Sequence, residues 1–155
     1  MVEPVLELSR REPKGVSMQR TLLNIKPDAV SRNLVGEICR RIEAAGFRIV
    51  AMEKTRLTRC EAEFFYHVHR DKSFFEDLIQ FMVSGPSVPM VVEGENVIQN
   101  LRVLIGSTDP SEAAEGTIRR DMAENVTRNC VHASDSEETA SREIAFFFST
   151  RRLLD

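Results

Sequence analysis

Near the start of the chain, two strand-like runs bracket one helical run, and this order constrains the fold more than any other feature. "RTLLNI" (20–25) is apolar and strand-like, and "FRIVAMEKTRL" (47–57) alternates loosely. Between them, "LVGEICRRIEAAGF" (34–47) places Leu34, Ile38, Ile42 and Ala45 at helical spacing, with Gly46 suited to the position just past the helix end. The segment "KPDAVSRN" that joins the first strand to this helix reads as a proline-containing turn. Downstream, "RCEAEFFYHVHR" and "FFEDLIQFMVSG" read as helices, "VPMVVEG" as a buried strand with Pro89 near its start, and "ENVIQNLRVLIG" as a helix. Residues 107–128 form a long polar stretch, expected as a loop, and a loop of that length inside a compact domain is either functional or a misassigned element. A short strand "NCV" and a helix from Ser136 to about Phe148, with Ala140, Ile144 and Phe147 inward, complete the order.

Split β-α-β units of this kind predict an α+β ferredoxin-like sandwich: a four-stranded antiparallel sheet with helices over one face and a long loop before the last strand. The competing doubly wound parallel sheet would normally carry a glycine-rich phosphate turn after its first strand. Neither G-x-G-x-x-G nor G-x-x-x-x-G-K-[ST] occurs in the chain. Residues 1–17, rich in charge and interrupted by Pro4, Pro13 and Gly15, are expected to be a peripheral extension to one domain spanning 18–155. A chain of 155 residues is long enough for one core without a disulfide or metal staple. The net charge of −3 gives no general pull toward nucleic acid. No apolar run reaches the ~20 residues of a membrane span, and the N-terminus has no signal-like apolar stretch. Three scattered cysteines, Cys39, Cys60 and Cys130, suit reduced thiols, so the expected location is cytoplasmic.

The stretch "NCVHASDS" (129–136) holds the most chemistry for its length. A serine triad from His132, Ser134 and Asp135 would ask three residues within four positions to make two aligned hydrogen bonds, a poor prospect. A zinc site from His67, His69, Cys130 and His132 matches no finger or zincin spacing, and on a helix His67 and His69 would face apart. Imidazole itself can act as a nucleophile, because a neutral ring exposes a lone pair without needing a base. From these residues alone, His132 reads equally as a half-buried structural ring near a helix start and as that nucleophile.

"NIKPDAV", "FMVSGP", "VVEGENV", "GTIR" and "NCVHASDS", in this order and at these intervals, resemble the nucleoside diphosphate kinase family from about Met18 onward, the short bacterial type most closely. The resemblance implies the ferredoxin-like fold and transfer of the γ-phosphoryl of a nucleoside triphosphate to a nucleoside diphosphate. It implies a two-step exchange through a phosphohistidine, with Mg²⁺, in a homo-oligomer of four or six subunits. Carried onto this sequence, His132 is the phosphorylated residue, Glu143 holds its ring and Ser134 supports that carboxylate. Lys26, Arg102 and Arg119 fill the cationic positions, and a loose phosphoryl-transfer transition state asks mainly for positioning and charge. Thr108 and Tyr66 fall at the phosphate end, Phe74 stacks on the base, and Asn129 bonds the ribose 3′-hydroxyl. Mg²⁺ is expected mainly through substrate phosphates, with Asp135 as its candidate carboxylate. Read locally, Ser134 with Glu137 is also a capping pair and Asp135 a helix-start acid. The chain departs from the family pattern at Ser73, Glu115, Arg120 and Met122, the last three in the long loop, which is still expected to keep its course.

A binding protein that has lost catalysis on the same fold is the alternative, resting on the local cluster Arg119, Arg120 and Arg128. The overall charge and the intact catalytic set make nucleic acid an improbable partner.

Overall fold

The computed structural model describes residues 16–153. Four strands form one antiparallel sheet in the order β2-β3-β1-β4: β1 (Met18–Ile25), β2 (Arg48–Met52), β3 (Val88–Glu95) and β4 (Val131–Ala133). Seven α-helices connect or follow them: α1 (Pro27–Ser31), α2 (Val35–Ala44), α3 (Arg59–Phe65), α4 (Phe75–Val83), α5 (Val97–Ile105), α6 (Ile118–Met122) and α7 (Glu137–Phe147). The ferredoxin-like order is therefore the one expected, and Gly46 takes φ +87° just past α2, as its position predicts. Of the expected extension, residues 1–15 lie outside the described residues, while the Ser17 carbonyl accepts the Asn96 N–H (2.8 Å) as the chain enters β1.

Helices cover both faces of the sheet, not one. Leu23, Ile25, Met90, Val92 and Val131 turn toward Ile38 and Ile42 of α2 and Val97, Leu101 and Ile105 of α5. Leu22 and Val91 turn the other way, against Phe65 of α3, Leu78, Ile79 and Met82 of α4, and Phe148 at the end of α7. The reason is legible in β1 and β3: "TLLNI" and "VPMVV" are buried at every position, and strands apolar on both faces require cover on both. Pro89 is the second residue of the interior strand β3, and its carbonyl still accepts from Glu53 N (3.2 Å).

Three local differences from the sequence reading have clear causes. "KPDAVSRN" contains the helix α1, because Pro27 at its first position supplies a helical φ and loses no needed N–H there. The "HVH" stretch is a 3₁₀ turn, His67–His69, after α3 ends. The long loop carries α6, capped by Thr117, whose hydroxyl accepts from Arg120 N (3.3 Å). Arg120, one of the departures from the family pattern, pins this loop: its guanidinium donates to the carbonyls of Ser111 (3.0 Å) and Pro110 (3.4 Å). Arg41 adds bonds to Gly116 O (3.4 Å) and the Asp121 carboxylate (2.7 Å), and Met122 packs on the core.

Candidate active site

His132 is the middle residue of β4, paired in register with Asn24 of β1, so its ring projects to the same face as Leu22 and away from α5. There it meets the edges of Phe65 (centroids 5.4 Å) and Tyr66 (6.0 Å) at the end of α3. Its Nε2 lies 2.8 Å from Glu143 Oε2, and Ser134 Oγ donates to the same oxygen at 2.7 Å. Burial opposes ionisation of Glu143, but the bonds from His132 and Ser134 outweigh it and hold the carboxyl below its ordinary range. An ionised carboxylate only accepts, so Nε2 carries the proton and the lone pair resides on Nδ1. No hydrogen bond engages Nδ1 among the described residues.

The arrangement depends on where α7 starts. Its N-cap is Ser136, which forms a reciprocal box with Thr139, so the alternative local reading of Ser134 and Glu137 as a capping pair does not hold. Ser134 is thereby left free for Glu143, which falls two turns into the helix on its buried face. Asp135 accepts from Thr139 Oγ1 (2.7 Å), and this bond outweighs the opposing effect of burial and, with the Arg102 charge adding to it, lowers the carboxyl.

His132 opens on a cavity of about 640 Å³. Its wall includes Lys26, Tyr66, Phe74, Arg102, Thr108, Arg119, Asn129, Asp135 and Glu143. All the sequence-predicted site residues are thus brought together; Ser134 alone stands behind the wall, buried against Glu143. Lys26 Nζ donates to Asn129 Oδ1 (2.8 Å), and Asn129 Nδ2 donates to the carbonyls of Thr108 (3.2 Å) and Val126 (3.1 Å), tying the long loop to the site. Burial first, and then the Arg119 charge, lower the Lys26 ammonium from 10.5 to about 8. Arg119 donates to Gly106 O (3.1 Å) and Val131 O (2.9 Å), and burial with the Arg102 charge lowers it to about 10. A buried lysine and a half-buried arginine are both depressed in this way, Lys26 despite the nearby Asp28 charge, and a polyanion in the cavity would raise both again. Phe74 is 48% exposed at the rim, where a flat ring can stack. The Tyr66 hydroxyl is buried without a partner among the described residues, and burial followed by the Glu143 charge raises its pKa.

Among the described residues, no cluster of three or more His, Cys, Asp or Glu side chains could hold a metal by itself. The carboxylates on the wall are Asp135 and Glu143, and Glu143 is taken up by His132 and Ser134. That leaves Asp135, already bonded by Thr139, and a single carboxylate beside several cations fits an ion carried in on phosphates, as Mg²⁺ commonly is.

Sequence reasoning missed three residues here. His69, weighed in the sequence as a zinc ligand, lines the cavity beside Phe74 (5.6 Å between centroids). Arg142 lines it from α7, one residue before Glu143. Asp28, inside "KPDAV", is 2% exposed and accepts the Cys130 N–H at 3.0 Å. A carboxylate at the second position of a proline-started helix resembles an ordinary helix-start acid, which hides this role.

A strand-borne histidine, fixed through one nitrogen over a cationic cavity, defines a site for phosphoryl chemistry. The sequence matches the model of one family, described as nucleoside diphosphate kinase, over residues 19–153. The nucleoside diphosphate kinase of Campylobacter hominis is 54% identical over 136 residues, covering 88% of this chain and 99% of that protein. That of Neorickettsia sennetsu is 52% identical over 138 residues, covering 89% and 99%. Among solved structures, the Aquifex aeolicus nucleoside diphosphate kinase superposes with a TM-score of 0.87 at 42% identity, covering 89% of this chain and 100% of that one. A halophilic nucleoside diphosphate kinase from Halobacterium salinarum in complex with CDP gives 0.86 at 40% identity, covering 90% and 93%. The chain belongs to the nucleoside diphosphate kinase family. No helix among the described residues is long and apolar enough to cross a membrane.

Proposed function

We propose that the protein moves the γ-phosphoryl group of a nucleoside triphosphate onto a nucleoside diphosphate, with His132 as the covalent carrier. The observation that carries this reading is the His132–Glu143–Ser134 chain, which leaves Nδ1 as the nucleophile on a cavity wall bearing Lys26, Arg102 and Arg119. In the first half-reaction the Nδ1 lone pair attacks the γ-phosphorus. The N–P bond forms as the bond to the β,γ-bridging oxygen breaks, and the diphosphate leaves with that electron pair. In the second, a terminal β-phosphate oxygen of the acceptor attacks the same phosphorus and the N–P electrons return to Nδ1. Glu143 stabilises the positive charge the ring acquires when its nitrogen is phosphorylated.

Lys26, Arg102, Arg119 and the Thr108 hydroxyl hold the phosphates, and Tyr66 closes the phosphate end against the ring. Phe74 stacks on one face of the base and Asn129 with Lys26 meets the ribose 3′-hydroxyl. Mg²⁺ is the expected divalent ion; the nucleotide phosphates would hold it, with Asp135 as its candidate carboxylate, and it would offset charge on the phosphoryl oxygens. A cytoplasmic homo-oligomer, tetrameric or hexameric, with 1–17 as a peripheral extension, completes the reading.

The test is intact-mass analysis after incubation with ATP and Mg²⁺ in the absence of acceptor, handled at neutral or alkaline pH. The expected result is one added phosphoryl group, lost in acid and lost in His132→Ala. An unchanged mass would refute the covalent mechanism. Salt-sensitive oligonucleotide binding without turnover would favour the non-catalytic alternative instead.

A further inference from the structure

The segment just before His132 makes a turn that its residues do not favour. Val131 N donates to Asn129 O (2.9 Å), an i to i+2 bond, and the residue between them, Cys130, has φ +72°. These are the marks of the strained, positive-φ form of the γ-turn, which a side-chain-bearing residue enters at a cost. Cys130 has none of the tolerance of glycine or asparagine for this region. Yet the turn sets the spacing between Asn129, which bonds Lys26, and His132.

Both peptide groups of Cys130 are held from one side. Its N–H donates to Asp28 Oδ2 at 3.0 Å and its carbonyl accepts from Lys26 N at 2.8 Å. Asp28 is 2% exposed, and its other oxygen is buried without a partner among the described residues. A buried carboxylate with a single backbone donor is a poor source of stability, since desolvation of the charge outweighs one hydrogen bond. Its charge also faces Lys26, whose ammonium it helps keep protonated.

We infer that Asp28 is a positioning residue for the phosphoryl transfer: its carboxylate clamps Cys130 in the strained turn and so fixes His132 relative to Lys26 and Asn129. The inference rests on the proposed role of His132. It predicts something a merely structural acid does not: glycine at 130, which adopts positive φ freely, should make the clamp dispensable.

The experiment is a double-variant cycle with Asp28→Ala, Cys130→Gly and the pair, read in two ways: single-turnover phosphorylation of His132 by ATP and Mg²⁺, and unfolding in urea. Asp28→Ala should slow phosphorylation roughly 100-fold, the scale of an ångström of misplacement. Cys130→Gly alone should cost under about fivefold, and the double variant should recover at least about tenfold over Asp28→Ala. Asp28→Asn keeps an oxygen for the Cys130 N–H and should stay within about tenfold of wild type, which separates the clamp from the charge. Near-wild-type rates in Asp28→Ala, or losses that simply multiply in the pair, overturn the inference. Should Asp28→Ala fail to fold, the double variant must fold for the inference to stand. If the wild type itself takes no phosphoryl group, the functional reading fails separately and the urea cycle decides this one: non-additive losses support the clamp, additive losses overturn it.

Discussion

Lys26 should give the reaction an alkaline limit, and its place can be worked from the structure. Burial, with Arg119 second, lowers its ammonium from 10.5 to about 8, against the opposing charges of Asp28 and Cys130. At that value roughly one tenth of Lys26 is neutral at pH 7, half at pH 8 and nine tenths at pH 9. If the triphosphate requires the charged form, kcat/KM falls about tenfold between pH 7 and pH 9, approaching a unit slope. Bound phosphates restore the proton, so nucleotide binding at pH 8 should take up about half a proton per site, measurable by titration calorimetry in two buffers of different ionisation enthalpy. Lys26→Arg keeps its charge throughout and should lose this limb, whatever its absolute rate. The sign for stability runs the opposite way to activity: a lysine depressed in the folded state costs it most below pH 8. That cost, on the order of 3 kcal/mol, is relieved as pH rises from about 8 to 10.5. A flat kcat/KM from pH 7 to 9, or no proton uptake at pH 8, would refute the reasoning.

Glu143→Gln should lower kcat by about 10- to 100-fold with little change in fold, because the amide no longer stabilises a charged ring; Ser134→Ala, which removes only one bond to that carboxylate, should cost less, and stopped-flow or steady-state rates decide the order. Acceptors with different bases should fall within roughly two orders of magnitude in efficiency, since Phe74 offers a face and no side chain is assigned to the base edge, while a 3′-deoxy acceptor should be far poorer; strict choice of one base would displace the proposed nucleotide pose. Deletion of residues 1–17 should leave turnover nearly unchanged, and a large loss with an intact circular dichroism spectrum would place that segment at the site or at an interface.

What the sequence disclosed, and what it withheld, divides along a physical line. Helices such as α2 and α5 and the interior strands were legible because buried faces impose a period on residue type. The candidate site residues came from motifs, and the fold brings those distant residues to one cavity: Lys26 just past β1, Arg102 on α5, Arg119 on α6 and Glu143 on α7. The second helical layer was missed, though "TLLNI" announced a strand buried on both faces, a pattern that excludes a one-sided sandwich. The start of α7 was legible at Ser136, but Ser134 remained an alternative cap by type; only the demand of Glu143 for a donor distinguishes the two serines. His69 became part of the wall through a 3₁₀ turn whose direction no local pattern encodes. The strand before His132 was read as starting at Asn129, whereas it starts at Val131, because Cys130 adopts a conformation its side chain disfavours. That last failure is the informative one. A residue held against its preference needs a partner elsewhere to hold it, here Asp28, about a hundred positions away. Local propensity and tertiary structure therefore disagree directly before His132, the proposed nucleophile, and such a disagreement marks a position where the fold gives up stability for geometry.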